Sequence, residues 1–167
     1  MATFIQTLVY GYGNPGREDD GLGIELVKRL ENWSRQSGLA GIAFDSNYQL
    51  NIEDAEIISE KDIVIFADAS TEEIEDFIFT EVTGEDDVSF TTHAASPGYI
   101  VKLCTDLFGK CPQVYLLHIK GYQWEFSENI SEKAENNLQK AFDFMKDYLV
   151  NLHNNDLRPT QNSKLRT

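Results

Sequence analysis

A chain of 167 residues and 19.0 kDa has the size of one ordinary domain and can fold without disulfide or metal staples. Apolar residues at 41% and charged residues at 25% describe a globular protein, not a disordered or membranous one. Twenty-eight acidic against fourteen basic side chains give a net charge of −14, which repels phosphate backbones and anionic lipid and makes nucleic acid and membrane surfaces poor partners.

Along the chain, strand-like and helix-like stretches alternate. Ile5 to Tyr10 reads as a strand running into the turn-rich Gly11-Tyr12-Gly13-Asn14-Pro15-Gly16. From Asp20, the apolar residues Leu22, Leu26, Val27, Leu30 and Trp33 recur at helical spacing up to Gly38. Ile42 to Phe44 is a short strand ending at Asp45. Asn51 is placed to cap a brief helix through Ile58, with Ile52, Ala55 and Ile58 on one face. The continuous apolar run Ile63 to Phe66 predicts a central strand covered on both faces, stopping at Asp68. Phe77 to Val82 alternates as an edge or antiparallel strand does. Ser96-Pro97 is a helix start, serine capping and proline in the first turn, for a helix to about Phe108. Val114 to Ile119 is another buried-type strand. A last helix spans Ser131 to Leu152, striped by Ala134, Leu138, Ala141, Phe142, Met145 and Leu149. Strands alternating with helices predict a three-layer α/β/α sandwich with a mostly parallel, twisted sheet. The domain occupies residues 1–153, with a polar tail over 154–167.

No apolar run reaches the roughly 18 residues of a membrane span, and no basic-then-apolar leader opens the chain. Cys104 and Cys111, the two cysteines, match no zinc or redox spacing and are expected to pack in or beside the Ser96 helix. The expectation is a cytoplasmic monomer. Its charge is unevenly placed: fifteen acidic residues and one basic, Lys61, lie between Asp45 and Asp87. Such a block reads first as a solvated face and second as an electrostatic dock for a basic partner.

Gly11-Tyr12-Gly13-Asn14-Pro15-Gly16 after a strand matches the dinucleotide fingerprint, which makes a nucleotide-binding oxidoreductase module the alternative reading. The surroundings oppose it. The fingerprint works because free N–H groups at a helix start meet a pyrophosphate, whereas here Glu18, Asp19 and Asp20 stand at that start and Pro15 lacks an amide. The loop is built for a cation. Asp68, at the end of a buried strand, needs a cation or hydrogen-bond donors, and His93 lies on a loop before the Ser96 helix. Carboxylates plus one imidazole suit a divalent transition metal with open positions, although each residue also has an ordinary use as a cap or core hydrogen-bonder. His118, inside a strand, reads as a packed sheet histidine, and His153 as a cation at a helix C-terminus.

Three segments together resemble the [NiFe]-hydrogenase maturation endopeptidases: the opening GYGNPGREDDGLG, the strand DIVIFADAS with Asp68, and THAASP with His93. The resemblance runs over about residues 5 to 150. It implies an aspartic-type peptidase that removes the C-terminal extension of a hydrogenase large-subunit precursor after nickel insertion. Asp20, Asp68 and His93 would be the nickel ligands, with Asp20 and Asp68 also catalytic and the nickel supplied by the substrate. Asp19 would cap the helix and support the loop. Asp45-Ser46-Asn47-Tyr48-Gln49-Leu50 departs from the Asp-Gly-Gly-Thr-like segment of many members and resembles proteases serving bidirectional or other soluble hydrogenases. A non-catalytic, nickel-checking chaperone is a further alternative.

Overall fold

In the computed structural model, the described residues are 5–84, 90–91 and 94–155. The chain runs β1 (Thr7–Tyr12), α1 (Leu22–Ser37), β2 (Ile42–Asn47), α2 (Asp54–Ser59), β3 (Ile63–Ser70) and β4 (Phe77–Glu81). It continues with β5 (Phe90–Thr91), β6 (Ala94–Ala95), α3 (Pro97–Phe108), β7 (Gln113–Lys120) and α4 (Glu132–Asn155). Five strands form one sheet in the order β2-β1-β3-β7-β4, parallel except for β4, which runs antiparallel along β7 at one border. The alternating Phe77–Val82 stretch is therefore the antiparallel edge strand expected of it.

Period-two alternation divides the core into two halves. Val9, Ile63, Ile65 and Ala67 face α1 and α4, where Leu22, Leu26, Leu30, Leu138, Ala141 and Met145 meet them. Leu8, Tyr10, Val64 and Phe66 face α2 and α3, against Ala55, Ile58, Ile100 and Cys104. That is the three-layer sandwich predicted from the alternation of elements. Burying both faces of β3 explains why it reads as an unbroken apolar run. Arg29 joins α1 to α4 through two bonds to Glu135 at 2.7 and 3.1 Å, and holds Glu25 at 3.0 Å.

The helix starts divide. Ser96 caps α3, its Oγ accepting from Tyr99 N at 3.2 Å, as expected. Asn51 does not cap α2; its own backbone N–H donates to Asp54 Oδ2 at 2.7 Å, so the buried Asp54 fixes that turn. Ile52 is exposed while Ala55 and Ile58 are buried, because α2 begins beyond it. The strands also run further than their apolar cores: β1 to Tyr12, β2 to Asn47 and β3 to Ser70, so Asp68 lies inside β3. Helix α4 reaches Asn155, and the rest of the polar segment lies outside the described residues. No described helix is long and apolar enough to cross a membrane.

Strand β1 is followed in sequence by β2 on one side and, through α2, by β3 on the other. The β1–β3 boundary is thus the point where strand order reverses. In such sheets the reversal point is where a crevice and its site form, beyond the carboxyl ends of the strands.

Candidate active site

The glycine loop explains how the crevice is built. Gly11 and Gly23 are contact points of backbone with backbone: a methyl on Gly11 would strike Gly23 O, and one on Gly23 would strike Ala67 O. Helix α1 therefore enters directly against β1 and β3. Gly13 has φ 136°, a region closed to side chains, and a Cβ there would collide with Asp20 O. The result is a 3-10 turn, Glu18–Gly21, folded back over the end of β1. Its Asp20 carboxylate accepts from Asn14 N at 2.8 Å.

That loop has few amides to offer a phosphate. Gly13 N donates to Asn47 O at 3.2 Å, Gly16 N to Asn14 Oδ1 at 2.9 Å and Arg17 N to Asn14 O at 3.1 Å. With Asn14 N on Asp20 and no amide on Pro15, the glycine pattern here serves close packing, and the dinucleotide reading loses its physical basis.

Asp68 sits across the crevice from this turn. Gly11 and Ala67 are register partners on β1 and β3, and Tyr12 and Asp68 each follow by one residue. The Tyr12 hydroxyl donates to Asp68, and Ala69 N donates to Asp68 Oδ1 at 2.8 Å. These bonds favour the ionised form but are outweighed. Burial first, and then the nearby negative charge of Asp20, hold the Asp68 carboxyl up at about 7. Burial and the Asp68 charge push the Tyr12 hydroxyl well above its ordinary value, so it stays a donor. Two carboxylates in electrostatic contact, one poised to carry a proton near neutrality, can bind a cation or exchange a proton with a reacting group.

His93 lies outside the described residues. Its described neighbours Thr91 and Ala94 are antiparallel register partners, and Ala95 N donates to Leu50 O at 3.3 Å, tying this segment to the loop after β2. His118 is the register partner of Asp68 on β7; burial lowers its pKa, opposed by the charge of Glu72. Among the described residues no three His, Cys, Asp or Glu side chains gather as a metal site, so His118 does not complete one with the two aspartates.

Asp19 has a different place from the one expected. It is fully buried, and its carboxylate caps no turn of its own helix. Instead it accepts from Tyr122 N at 2.7 Å, Gln123 N at 2.9 Å, Ser131 N at 2.8 Å and Ser131 Oγ at 2.8 Å. It therefore pins the loop between β7 and α4 to the turn that carries Asp20. Glu18 N to Ser127 O at 2.7 Å and Ser127 N to Gly16 O at 3.1 Å extend that seam, and Arg17 lies 5.2 Å over the Phe126 ring. Sequence reasoning missed the Tyr12 hydroxyl as well; a tyrosine inside the glycine pattern was its only signal.

The acidic block is not one solvated face. Asp54 and Asp76 are buried; Asp54 accepts from the Tyr10 hydroxyl at 3.2 Å, and Asp76 accepts from Phe77 N at 2.6 Å and lies 3.6 Å from Lys140 Nζ. Cys104 packs inside α3, and Cys111 sits partly buried beside it, where burial and the neighbouring thiol push it up to about 12.

Comparison of this geometry with solved structures finds several hydrogenase maturation proteases. The [NiFe] hydrogenase maturation protease HycI from Thermococcus kodakarensis KOD1 superposes with a TM-score of 0.69 at 17% identity, over 87% of this chain and 92% of its own. This is the fold of the hydrogenase maturation proteases. The maturating endopeptidase HybD from E. coli gives 0.67 at 16% identity, over 88% and 93% of the two chains. The hydrogenase 2 maturation peptidase from a Thaumarchaeota archaeon gives 0.64 at 21%, over 87% and 98%. No protein-family model matches the chain, and no curated protein matches it.

Proposed function

We propose that this chain is an endopeptidase that trims the C-terminal extension of a [NiFe]-hydrogenase large-subunit precursor once nickel is in place. The observation that carries the reading is the pairing of Asp20 with Asp68 across the crevice of a fold shared with maturation proteases. The three-segment sequence resemblance adds to it independently.

In this reading the metal belongs to the substrate. Asp20, Asp68 and His93 grip nickel already seated in the precursor and bring the neighbouring peptide bond into the crevice. Holding the reactants in place can lower a barrier by up to about 7–11 kcal/mol in ideal geometry. A water polarised by the nickel, or relieved of its proton by one of the two carboxylates, attacks the carbonyl. Whichever of the two carboxylates is not spent on the nickel would take that proton and return it to the leaving amine. A precursor without nickel offers no anchor and stays uncut. The Gln49-Leu50 segment favours a bidirectional or soluble hydrogenase as the partner, and the work would be done in the cytoplasm.

The test is direct. Nickel-loaded precursor incubated with the wild-type chain should lose its extension. Asp20→Asn, Asp68→Asn and His93→Ala should each slow the cut by about 10²–10⁴-fold. If wild type binds the loaded precursor and leaves the extension on, the chain is a nickel-checking chaperone and the peptidase reading is finished.

A further inference from the structure

Strand β2 borders the sheet, with β1 on its inner side and no strand on its outer side among the described residues. The hydrogen-bond phase settles which of its backbone groups face outward. Thr7 N donates to Gly41 O at 2.9 Å and Gly13 N to Asn47 O at 3.2 Å, so residues 41, 43, 45 and 47 turn their polar groups toward β1. Ile42, Phe44 and Ser46 turn theirs away. Ser46 N is taken by Asp45 Oδ1 at 2.8 Å. The N–H and C=O of Ile42 and Phe44 and the carbonyl of Ser46 have no partner among the described residues.

This edge is thinly protected, with Asp45 as its single charge. Its sequence, IAFDSN, contains no lysine, arginine or proline, and its register with β1 is unbroken by a bulge. A groove of about 450 Å³ runs beside it, lined by Glu31, Ser34, Arg35, Leu39, Ile42 and Phe44. Leu39, Ile42 and Phe44 give it apolar wall, and the Arg35–Glu31 pair at 3.0 Å gives it a polar rim. An extended chain laid on β2 would find backbone partners at two-residue intervals and an apolar recess for alternate side chains, as in strand addition.

The edge also leads to the crevice. Asn47 is the register partner of Tyr12, whose hydroxyl holds Asp68. From a strand added outside β2 to β3 is three strand spacings, about 14 Å, which about four extended residues span. Building on the peptidase reading, we propose that the outer edge of β2 binds an extended segment of the substrate polypeptide as an added strand and so feeds its scissile bond to the Asp20–Asp68 crevice. The segment it fits is about four or five residues long, with apolar side chains at alternate positions.

Amide exchange read residue by residue tests this on the full wild-type chain, alone and with nickel-loaded precursor whose scissile peptide bond has been made uncleavable. The Ile42 and Phe44 amides should slow at least about tenfold on adding precursor. Phe44→Pro removes one outward donor where a sheet edge tolerates proline. It should raise KM for the precursor about tenfold with kcat little changed. Phe44→Ala, which keeps the N–H, should raise KM less than about threefold. Unchanged Ile42 and Phe44 exchange at saturating precursor overturns the proposal, and so does protection already present in the chain alone, which would assign the edge to another part of this chain or to a second copy. Cleavage without edge protection sinks only the added strand; edge protection without cleavage sinks only the peptidase.

Discussion

Two carboxylates stand at the same end of the sheet, Asp19 fully buried and Asp68 half-buried, and they are treated in opposite ways. Asp19 is surrounded by four donors from a loop more than 100 residues away in sequence, two backbone amides of residues 122 and 123 and both the amide and hydroxyl of Ser131. Asp68 has two donors, Ala69 N and the Tyr12 hydroxyl, and faces the negative charge of Asp20. A buried carboxylate with every oxygen provided for is a structural joint. One left short of partners beside a like charge keeps an open claim on a cation or a proton.

Removing the joint should have the largest effect. Asp19→Ala strands several buried donors at once and is expected to cost about 3–5 kcal/mol. Urea unfolding measures it, and limited proteolysis should find the 121–131 loop newly open. A loss under about 1 kcal/mol would mean that the seam holds without its carboxylate and that the two aspartates differ less than their partners suggest.

Asp68→Asn should move stability the other way at high pH. The Asp68 carboxyl titrates at about 7 in the fold, far above its ordinary range. Between about pH 4 and pH 7 the folded chain keeps a proton that the unfolded chain has released, so stability falls as pH rises through that window. Asparagine removes the titration. The variant should lose that downward slope and at pH 8 exceed wild type by on the order of 1–3 kcal/mol, while losing activity. Unfolding midpoints at pH 5 and pH 8 decide it; equal slopes would mean that the crevice carries no such strain.

The closeness of α1 to β3 links the two environments. Gly23→Ala pushes the helix from Ala67 O, next to Asp68, at about 1–3 kcal/mol. Moving the Asp20 turn outward should also bring the Asp68 titration down toward ordinary carboxylates, followed by carboxyl chemical shifts. A titration that stays at about 7 would leave burial alone responsible.

Much of this was legible before any coordinates. Ile63 to Phe66 reads as a central strand because it is covered on both faces, and the α4 stripe because Ala134, Leu138, Ala141, Met145 and Leu149 share one buried face. The aspartates stood out because carboxylates are costly at those positions. What escaped reading was made of contacts between distant segments. The partners of Asp19 lie 103 to 112 residues away, beyond any local pattern, so its neighbours suggested only a cap. Tyr12 read as turn because glycines flank it, although β1 continues through it. The glycines themselves mimicked a phosphate loop; only the approach of Gly11, Gly23 and Ala67 reveals what their small size is for.

The most discriminating variant has the smallest expected effect at low pH, because it concerns a single hydrogen bond. Tyr12→Phe removes the hydroxyl donor to Asp68 and leaves the ring against Phe66, whose centroid lies 6.3 Å away. The lost bond favoured the ionised carboxylate, so the Asp68 titration should climb further above neutrality. Below about pH 5 Asp68 is protonated in the folded chain and the bond joins two neutral groups; its loss should cost about 1 kcal/mol or less. Above about pH 8 the same bond serves a charge, and the cost should approach 1.5–3 kcal/mol, roughly. In the Asp68→Asn background the pH dependence of that cost should vanish, since no charge remains to be served. A Tyr12→Phe penalty that is flat with pH, or one that keeps its pH dependence without Asp68, would separate Tyr12 from the carboxylate pair and leave burial, Asp20 and Ala69 N to set the Asp68 titration.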